Sequence, residues 1–508
     1  MNALWKLGWV VVAGVLLGLL PACGGGGGSG GSRVRGDDSL LIARRADVPA
    51  GERVRAIKLA EAQVESGQAE RLVMRYAMKE MAWALDTPEM VRAAALEAVL
   101  WDEEAEEDSR DLVREMLPTE PDRGPVAVMA TAIVDHEWFE LTPALVRSLA
   151  RPVVGVADQE RAEYQALEQL YPGRPLDRVA FEVFLDPRTK PGPAGLRLDM
   201  RVREAAWDLI GRLTPERKRR ASLLDTAISG DDEGVVIFGK LQEVRDQLGV
   251  VPERGEEVRW ALRLVEERNG RLATWWEQTA RAVGQVLPEG RAGLALRHIE
   301  AVRWAGQEQP EWLGMGREGL LGELAGRLKG RQVYSRTESI RGLANANRER
   351  LATARESLVW GDVLVLLVID EALAEPSVRE ALFAAAEIDH KDNSSEHGGT
   401  LWADATGFHA RHFPPRGSAA PDDRRFVAPR EMIDYSGAAL AHFHFHVTDW
   451  RNRDYAGPSP GDLDYAARFG RVCVVFSGLG RGKLNADVYF PNGAVVDLGE
   501  IRRADPVP

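Results

Sequence analysis

Near the C-terminus the chain reads Ala441-His442-Phe443-His444-Phe445-His446-Val447, and this alternation constrains the fold more tightly than any other stretch. Successive side chains on a β-strand point to opposite faces, so a period of two places His442, His444 and His446 on one face and the two Phe rings on the other. One face belongs to a core and the other is polar and able to hold a metal. Seven of the nine histidines lie between His390 and His446. The imidazole chemistry is therefore concentrated in one short part of the chain.

At 508 residues the chain is too long for a single core, and length alone predicts about two to four domains. A formal net charge of -13 and the absence of a long basic run argue against nucleic acid as a partner. Lys6, the apolar run Trp9 to Leu20 and the sequence Leu20-Pro21-Ala22-Cys23 together resemble a bacterial lipoprotein signal with its lipobox. The apolar run is shorter than the roughly 20 residues that span a bilayer. The resemblance implies a signal peptide over 1–22 and lipidation of Cys23. The chain would then be an exported lipoprotein, anchored to a lipid bilayer of the bacterial cell envelope and facing the periplasm or the exterior. Residues 23–38 carry the lipidated Cys and a tether, of which Gly24 to Ser32 is nearly pure Gly with Ser and should span about 15–18 Å as a flexible coil. Once Cys23 carries lipid only Cys473 remains, so no disulfide is expected within the mature chain.

From Ser39 to Leu358 the sequence reads as helix after helix, rich in Ala, Leu, Glu and Arg. Arg53 to Asp86 has helical periodicity, and Thr87-Pro88-Glu89 looks like an N-cap with Pro at the first helical position, opening a helix over Met90 to Trp101. The Thr-Pro signal returns at Thr142-Pro143 and Thr214-Pro215. Uneven spacing leaves two readings of 39–358 open: degenerate HEAT-like pairs stacked as an α-solenoid, or an irregular all-α region of one or two blocks. The acidic run Asp102 to Asp108 is expected to be a solvated loop. Trp260, Trp275, Trp276 and Trp304 fall on amphipathic stretches and are expected in the core. Pro172-Gly173-Arg174-Pro175 and Lys190-Pro191-Gly192-Pro193 read as loops.

After Trp360 the texture changes, and 359–508 reads as an α/β domain with a mixed sheet. Val363 to Ile369 is a β-branched apolar run of strand length, with a buried helix as the alternative. A helix should run from Glu375-Pro376 to about Asp389, followed by a turn at Glu396-His397-Gly398-Gly399 into a strand, and an extended segment over Gly407 to Pro414. Pro414 to Arg430 reads as a loop and Ala438 to Val447 as the histidine strand. Ser459 to Phe469 can form a helix. Val472 to Ser477 and Ala486 to Phe490 read as strands, with Pro491-Asn492-Gly493 turning into Ala494 to Leu498.

The Phe-His-Phe-His string is similar to the zinc strand of α-type carbonic anhydrases, but that family takes a third His from downstream and none follows His446. A cupin would need a Glu soon after the pair, where Arg451 and Asn452 stand. The order Glu396, then His444-Phe445-His446, then Ser459-Pro460-Gly461-Asp462 resembles the JAMM (JAB/MPN) metalloprotease pattern of a Glu near a strand, His-x-His and Ser-x-x-Asp. The resemblance covers about Glu375 to Ile501. Two imidazoles and one carboxylate suit Zn²⁺ and leave a fourth position for water. Carried over, His444, His446 and Asp462 would be zinc ligands, Glu396 the general base and Ser459 a donor to the oxyanion. The chain departs from the family in having Val447 where members commonly place Pro, and in the inserted Asp449 to Asp454. His442 is expected to act behind the ligands or on the substrate side. His397, His409 and His412 are expected to be ordinary.

These readings give a zinc-dependent peptidase or isopeptidase acting on a peptide or protein substrate in the envelope, with the helical region positioning that substrate. The alternative is an inactive scaffold or interaction lipoprotein that keeps the JAMM-like module.

Overall fold

The computed structural model describes residues 36–188, 197–226, 230–334, 349–392, 394–415, 422–453 and 456–503. The signal-like segment, Cys23, the Gly/Ser tether, Lys190 to Pro193 and Asp454 lie outside them. Most described residues are helical, and a mixed six-stranded sheet forms the C-terminal part. No helix among the described residues is long and apolar enough to cross a membrane.

The chain divides into two compact units, Met1–Val99 and Leu100–Pro508. In the first, the periodic stretch expected over Arg53 to Asp86 forms two helices, Ala50–Glu65 and Arg71–Trp83. The next helix, Glu89–Leu100, starts at the Thr-Pro signal. Further along, the Thr-Pro signals mark helix starts but not in the way expected. Thr142 lies inside the helix Thr142–Ala150 and its Oγ1 donates to the Phe139 carbonyl at 2.7 Å. Thr214 precedes the helix Arg217–Leu223 and donates instead to Asp177 Oδ2 at 3.0 Å. Pro143 fixes the first turn of its helix while Pro215 stands just ahead of the N-cap Glu216, and both hydroxyls serve other partners.

The helix ends have a repeated satisfier. An α-helix leaves its last carbonyls unpaired and carries partial negative charge there, which favours a cation. Arg53 Nε donates to Ala43 O at 2.8 Å and Arg92 Nε to Ala82 O at 2.9 Å, each reaching back to the end of an earlier helix. In the second unit Arg161 gives two such bonds, to Ser148 O and Leu149 O, both at 2.9 Å. Arg203 reaches Leu185 O at 3.0 Å and forks onto both carboxylate oxygens of Asp231 at 2.7 and 2.6 Å. All four guanidiniums are buried.

The acidic run is not a loop throughout. Glu103–Ala105 form a 3₁₀ turn, and Glu106, Glu107 and Asp108 sit in the first turn of the helix Glu106–Met116, where the helix dipole favours carboxylates. The Val363 to Ile369 strand expectation fails: Trp360–Ala374 is one helix, buried almost all round. An all-apolar run carries no period to tell helix from strand. The helix is opened by Asp362, whose Oδ2 accepts from Val359 N at 3.1 Å. Trp260, Trp275, Trp276 and Trp304 are buried as expected.

The strands are β1 (Ser395–Glu396), β2 (Gly398–Asp404), β3 (Gly407–Phe413), β4 (Asp422–Phe426), β5 (Ala441–His446), β6 (Cys473–Gly480), β7 (Lys483–Tyr489) and β8 (Val495–Arg502). β4 lies inside the stretch read as a loop, and it pairs in parallel with β1. The main sheet has the order β3-β2-β5-β6-β7-β8, antiparallel except for the parallel pair β5 and β6. The chain crosses between those two strands through the helix Pro460–Phe469, as parallel pairing requires. On the phenylalanine face Phe443, Phe445 and Phe476 form one aromatic cluster with ring centroids 5.4–5.9 Å apart. On the histidine face Ala466 of the crossover helix packs against Cys473, Val475, Tyr489 and Val495.

Sheet and preceding helices share contacts within this unit. Trp260 Nε1 donates to Gly437 O at 2.7 Å and its ring lies 3.3 Å from the Arg471 guanidinium. Arg303 Nη2 donates to Ala403 O at 3.0 Å, and Tyr334 N to Asp497 Oδ2 at 2.6 Å.

Candidate metal centre

β5 sits at the middle of the sheet, and its register places Gly398 of β2 opposite His444 and Gly399 opposite Phe443. A Cβ on Gly398 would lie 2.4 Å from Phe443 O, and one on Gly399 2.0 Å from Arg411 O. The Gly-Gly pair lets β2 close onto both neighbours, which brings Glu396, two residues upstream, beside the histidine face. Glu396 is buried there.

Asp462 arrives from the other side. Ser459 is the N-cap of the crossover helix, and the Ser-x-x-Asp spacing makes a reciprocal capping box: Ser459 N donates to Asp462 Oδ2 at 2.7 Å and Asp462 N to Ser459 Oγ at 3.3 Å. This turn aims the carboxylate at the strand. Asp462 Oδ1 stands 3.2 Å from His444 Nε2 and Oδ2 3.6 Å from His446 Nε2, while the two Nε2 atoms are 3.3 Å apart. Glu396 Oε1 is farther, 3.9 Å from His446 Nε2. One donor atom from each of Glu396, His444 and His446 falls within 4.8 Å of the others.

These spacings fit a divalent cation. Ligands about 2.0–2.1 Å from a tetrahedral centre are about 3.3–3.4 Å from one another. The 3.3 Å between His444 Nε2 and His446 Nε2 is an edge of that size, and Asp462 faces the two rings with different oxygens, Oδ1 3.2 Å from His444 and Oδ2 3.6 Å from His446. Glu396 stands farther out. Burial alone would lower the His444 pKa, but the carboxylates of Asp462 and then Glu396 outweigh it and push it up to about 9. Asp462 is driven the other way: burial opposes its charge, yet His444 and His446 hold it well below the usual carboxylate range.

Compared with protein-family models, curated proteins and solved structures, the chain matches none. Its chemistry must be read from its own residues.

The remaining histidines divide clearly. His442 Nδ1 lies 2.9 Å from Tyr465 Oη, and its buried Nε2 has no hydrogen-bond partner among the described residues. Burial, then the charges of Arg471 and Arg263, hold His442 well below the ordinary histidine pKa and thus neutral. His397 joins a chain with Asp392 at 2.9 Å and His412 at 2.8 Å. His409 bonds Asp404 at 3.1 Å at the exposed end of β2 and β3. His390 Nδ1 donates to Val447 O at 2.8 Å and packs on Trp450.

That last contact helps fix the segment after His446. Asn452 Nδ2 donates to His446 O at 3.1 Å and Asn452 N to Gly478 O at 2.8 Å, so the segment is pinned along the ends of β5 and β6. It coexists with Asp462 at 3.2 Å from His444. Two residues near the centre have no signature in the sequence motif. Phe426, from the stretch read as a loop, stacks parallel to the His444 ring at 5.9 Å, and Tyr489 Oη lies 3.5 Å from His444 Nδ1. Their only advance signal is the period of β7, which puts Tyr489 on the histidine face.

Proposed function

We propose that the chain is a zinc-dependent peptidase or isopeptidase of JAMM-like type, tethered at a bacterial membrane through Cys23, with its helical region positioning a peptide or protein substrate. The observation that carries the reading is the convergence of His444, His446 and Asp462: the two Nε2 atoms lie 3.3 Å apart, and the Asp462 carboxylate faces one with Oδ1 at 3.2 Å and the other with Oδ2 at 3.6 Å. A zinc ion held there supplies Lewis acidity, polarising the scissile carbonyl and acidifying a water molecule. Glu396 Oε1, 3.9 Å from His446 Nε2, takes the proton of the attacking water and passes it to the leaving amine. Ser459 Oγ accepts from Asp462 N and keeps its own hydrogen to donate to the developing oxyanion.

The test is metal content and hydrolysis by the full chain. About one zinc per chain is expected, lost in the double variant His444→Ala, His446→Ala. Glu396→Gln should keep the zinc while hydrolysis of a quenched-fluorescence peptide library falls about 10²–10⁴-fold. A chain that binds no zinc, or one that loses nothing in Glu396→Gln, overturns the reading. Zinc without hydrolysis in the wild type would leave the scaffold alternative.

A further inference from the structure

A cavity of about 450 Å³ lies beside the donor cluster, lined by Phe426, Tyr465 and Phe469 as well as by His442, His444 and Asp462. Its aromatic walls can cover the stem of a side chain. At its base His442 is buried with Nδ1 2.9 Å from Tyr465 Oη and Nε2 without a partner. The tautomer in which the phenol donates to Nδ1 leaves the hydrogen on Nε2, a buried donor with nothing to receive it among the described residues. A lone buried donor costs free energy until a ligand acceptor meets it.

Two guanidiniums near the cavity have no carboxylate partner among the described residues. Arg471, whose field reaches His442, is buried and its hydrogen bond goes to the Ser436 carbonyl rather than to a carboxylate. Arg468 is exposed at the mouth, with its guanidinium over the Phe469 ring and no ion pair among the described residues. Arg468 and Asp464 also line a larger groove of about 1310 Å³ on the other side of the crossover helix, where Arg201 and Arg254 likewise carry no ion pair among the described residues. Among the acidic groups of that groove, Glu253 pairs with Arg297 at 2.8 Å and Asp208 accepts from Gly255 N at 2.7 Å. Asp208, Glu256 and Asp464 are without an ion pair among the described residues, so the acids and cations of the groove balance.

We propose that this cavity receives a carboxylate-bearing residue of the substrate, with His442 Nε2 donating to the carboxylate at the base and the charge of Arg468 at the mouth drawing it in. The rest of the peptide then runs along the groove towards Arg254 and Arg201. The inference rests on the zinc-hydrolase reading for what is cleaved, but not for what is bound. The carboxylate is either an Asp or Glu side chain or a peptide C-terminus, and the two are separable.

The experiment uses the zinc-loaded full chain and fluorescence anisotropy with labelled peptides: a Glu-containing peptide, its Gln and Lys counterparts, and each with a free or amidated C-terminus. The Glu peptide should bind about tenfold or more tighter than the Lys peptide, and Arg468→Glu should erase or reverse that order. Arg468→Gln should give an intermediate result. Zinc content, measured in every variant, guards against a folding defect. Preference kept on amidation assigns the site to a side chain; preference lost assigns it to the C-terminus. Equal binding of Glu, Gln and Lys peptides overturns the proposal, as does an unchanged order in both Arg468 variants. If the acidic peptide binds selectively but is never cleaved, the recognition stands and the hydrolase reading falls.

Discussion

The carboxylate of Asp462 is held from two directions, by Ser459 N at 2.7 Å and by His444 Nε2 at 3.2 Å. Without metal the second contact is an ion pair, because His444 with its value raised to about 9 is protonated at neutral pH. A cation must displace that proton, so zinc titrated into the metal-free chain at pH 7 should release about one proton, seen as heats that differ between buffers of different ionisation enthalpy. The same pair sets the pH dependence of the metal-free fold. His444 is raised from 6.5 to about 9, so its contribution is complete below pH 6.5 and disappears as pH rises through 9. Asp462 is lowered from 3.8, so its contribution is present above that value and lost as pH falls. Urea midpoints of the metal-free chain should fall at both ends, and the alkaline loss should vanish in His444→Gln. Ser459→Ala removes the cap, costing about 0.5–2 kcal/mol in urea unfolding, and loosens the aim of Asp462, so zinc affinity should drop as well. The shared face of the histidines was legible from their period of two, and Asp462 was singled out only by the family pattern that its order after the pair resembles. Phe426 and Tyr489 were not, since neither belongs to that pattern and each reaches His444 only through the folding of its strand onto the site.

At the scale of elements, the recurring device is a buried arginine that reaches back to the carbonyl end of an earlier helix. Arg92 to Ala82 O is one instance and Arg53 to Ala43 O another. Replacing Arg92 with Met keeps an apolar stem but leaves the Ala82 carbonyl and its helix end without a cation. A loss of about 1.5–3 kcal/mol is expected, measured by chemical unfolding, whereas Arg92→Lys should recover part of it. Both arginines stand four residues after a proline, Pro49 and Pro88, so part of the device was written in the sequence. What could not be read was the target, because the acceptor lies on another helix. The helix Trp360–Ala374 was illegible for the opposite reason: with Val363 to Ile369 apolar on every side, only its length and the cap at Asp362 separate it from a strand. Where a polar face existed, as on β5, β7 and the crossover helix, the period could be read directly.

At the scale of the whole molecule, the residues from Leu100 onward form one compact unit that includes both the sheet and the helices before it. Trp260 is a joint between them, hydrogen-bonded to Gly437 O at 2.7 Å and stacked under Arg471 at 3.3 Å. Trp260→Ala removes a buried indole and strands that guanidinium, and should cost about 3–5 kcal/mol. Calorimetry should show helical and sheet parts of this unit melting together, and the variant should lower the whole transition without splitting it. The division of labour between a helical region and an α/β region was legible from composition. Their sharing of one core was not, because the contacts span most of the chain length. The parallel pairing of β5 with β6 adds a matter of timing. Asp462 rides on the crossover between those strands, and Glu396 comes from β1, directly ahead of a β2 that must first close on β5. Until the crossover has returned to the sheet, an arriving cation would meet two imidazoles and no carboxylate, so under the zinc reading metal capture would close folding here and not seed it.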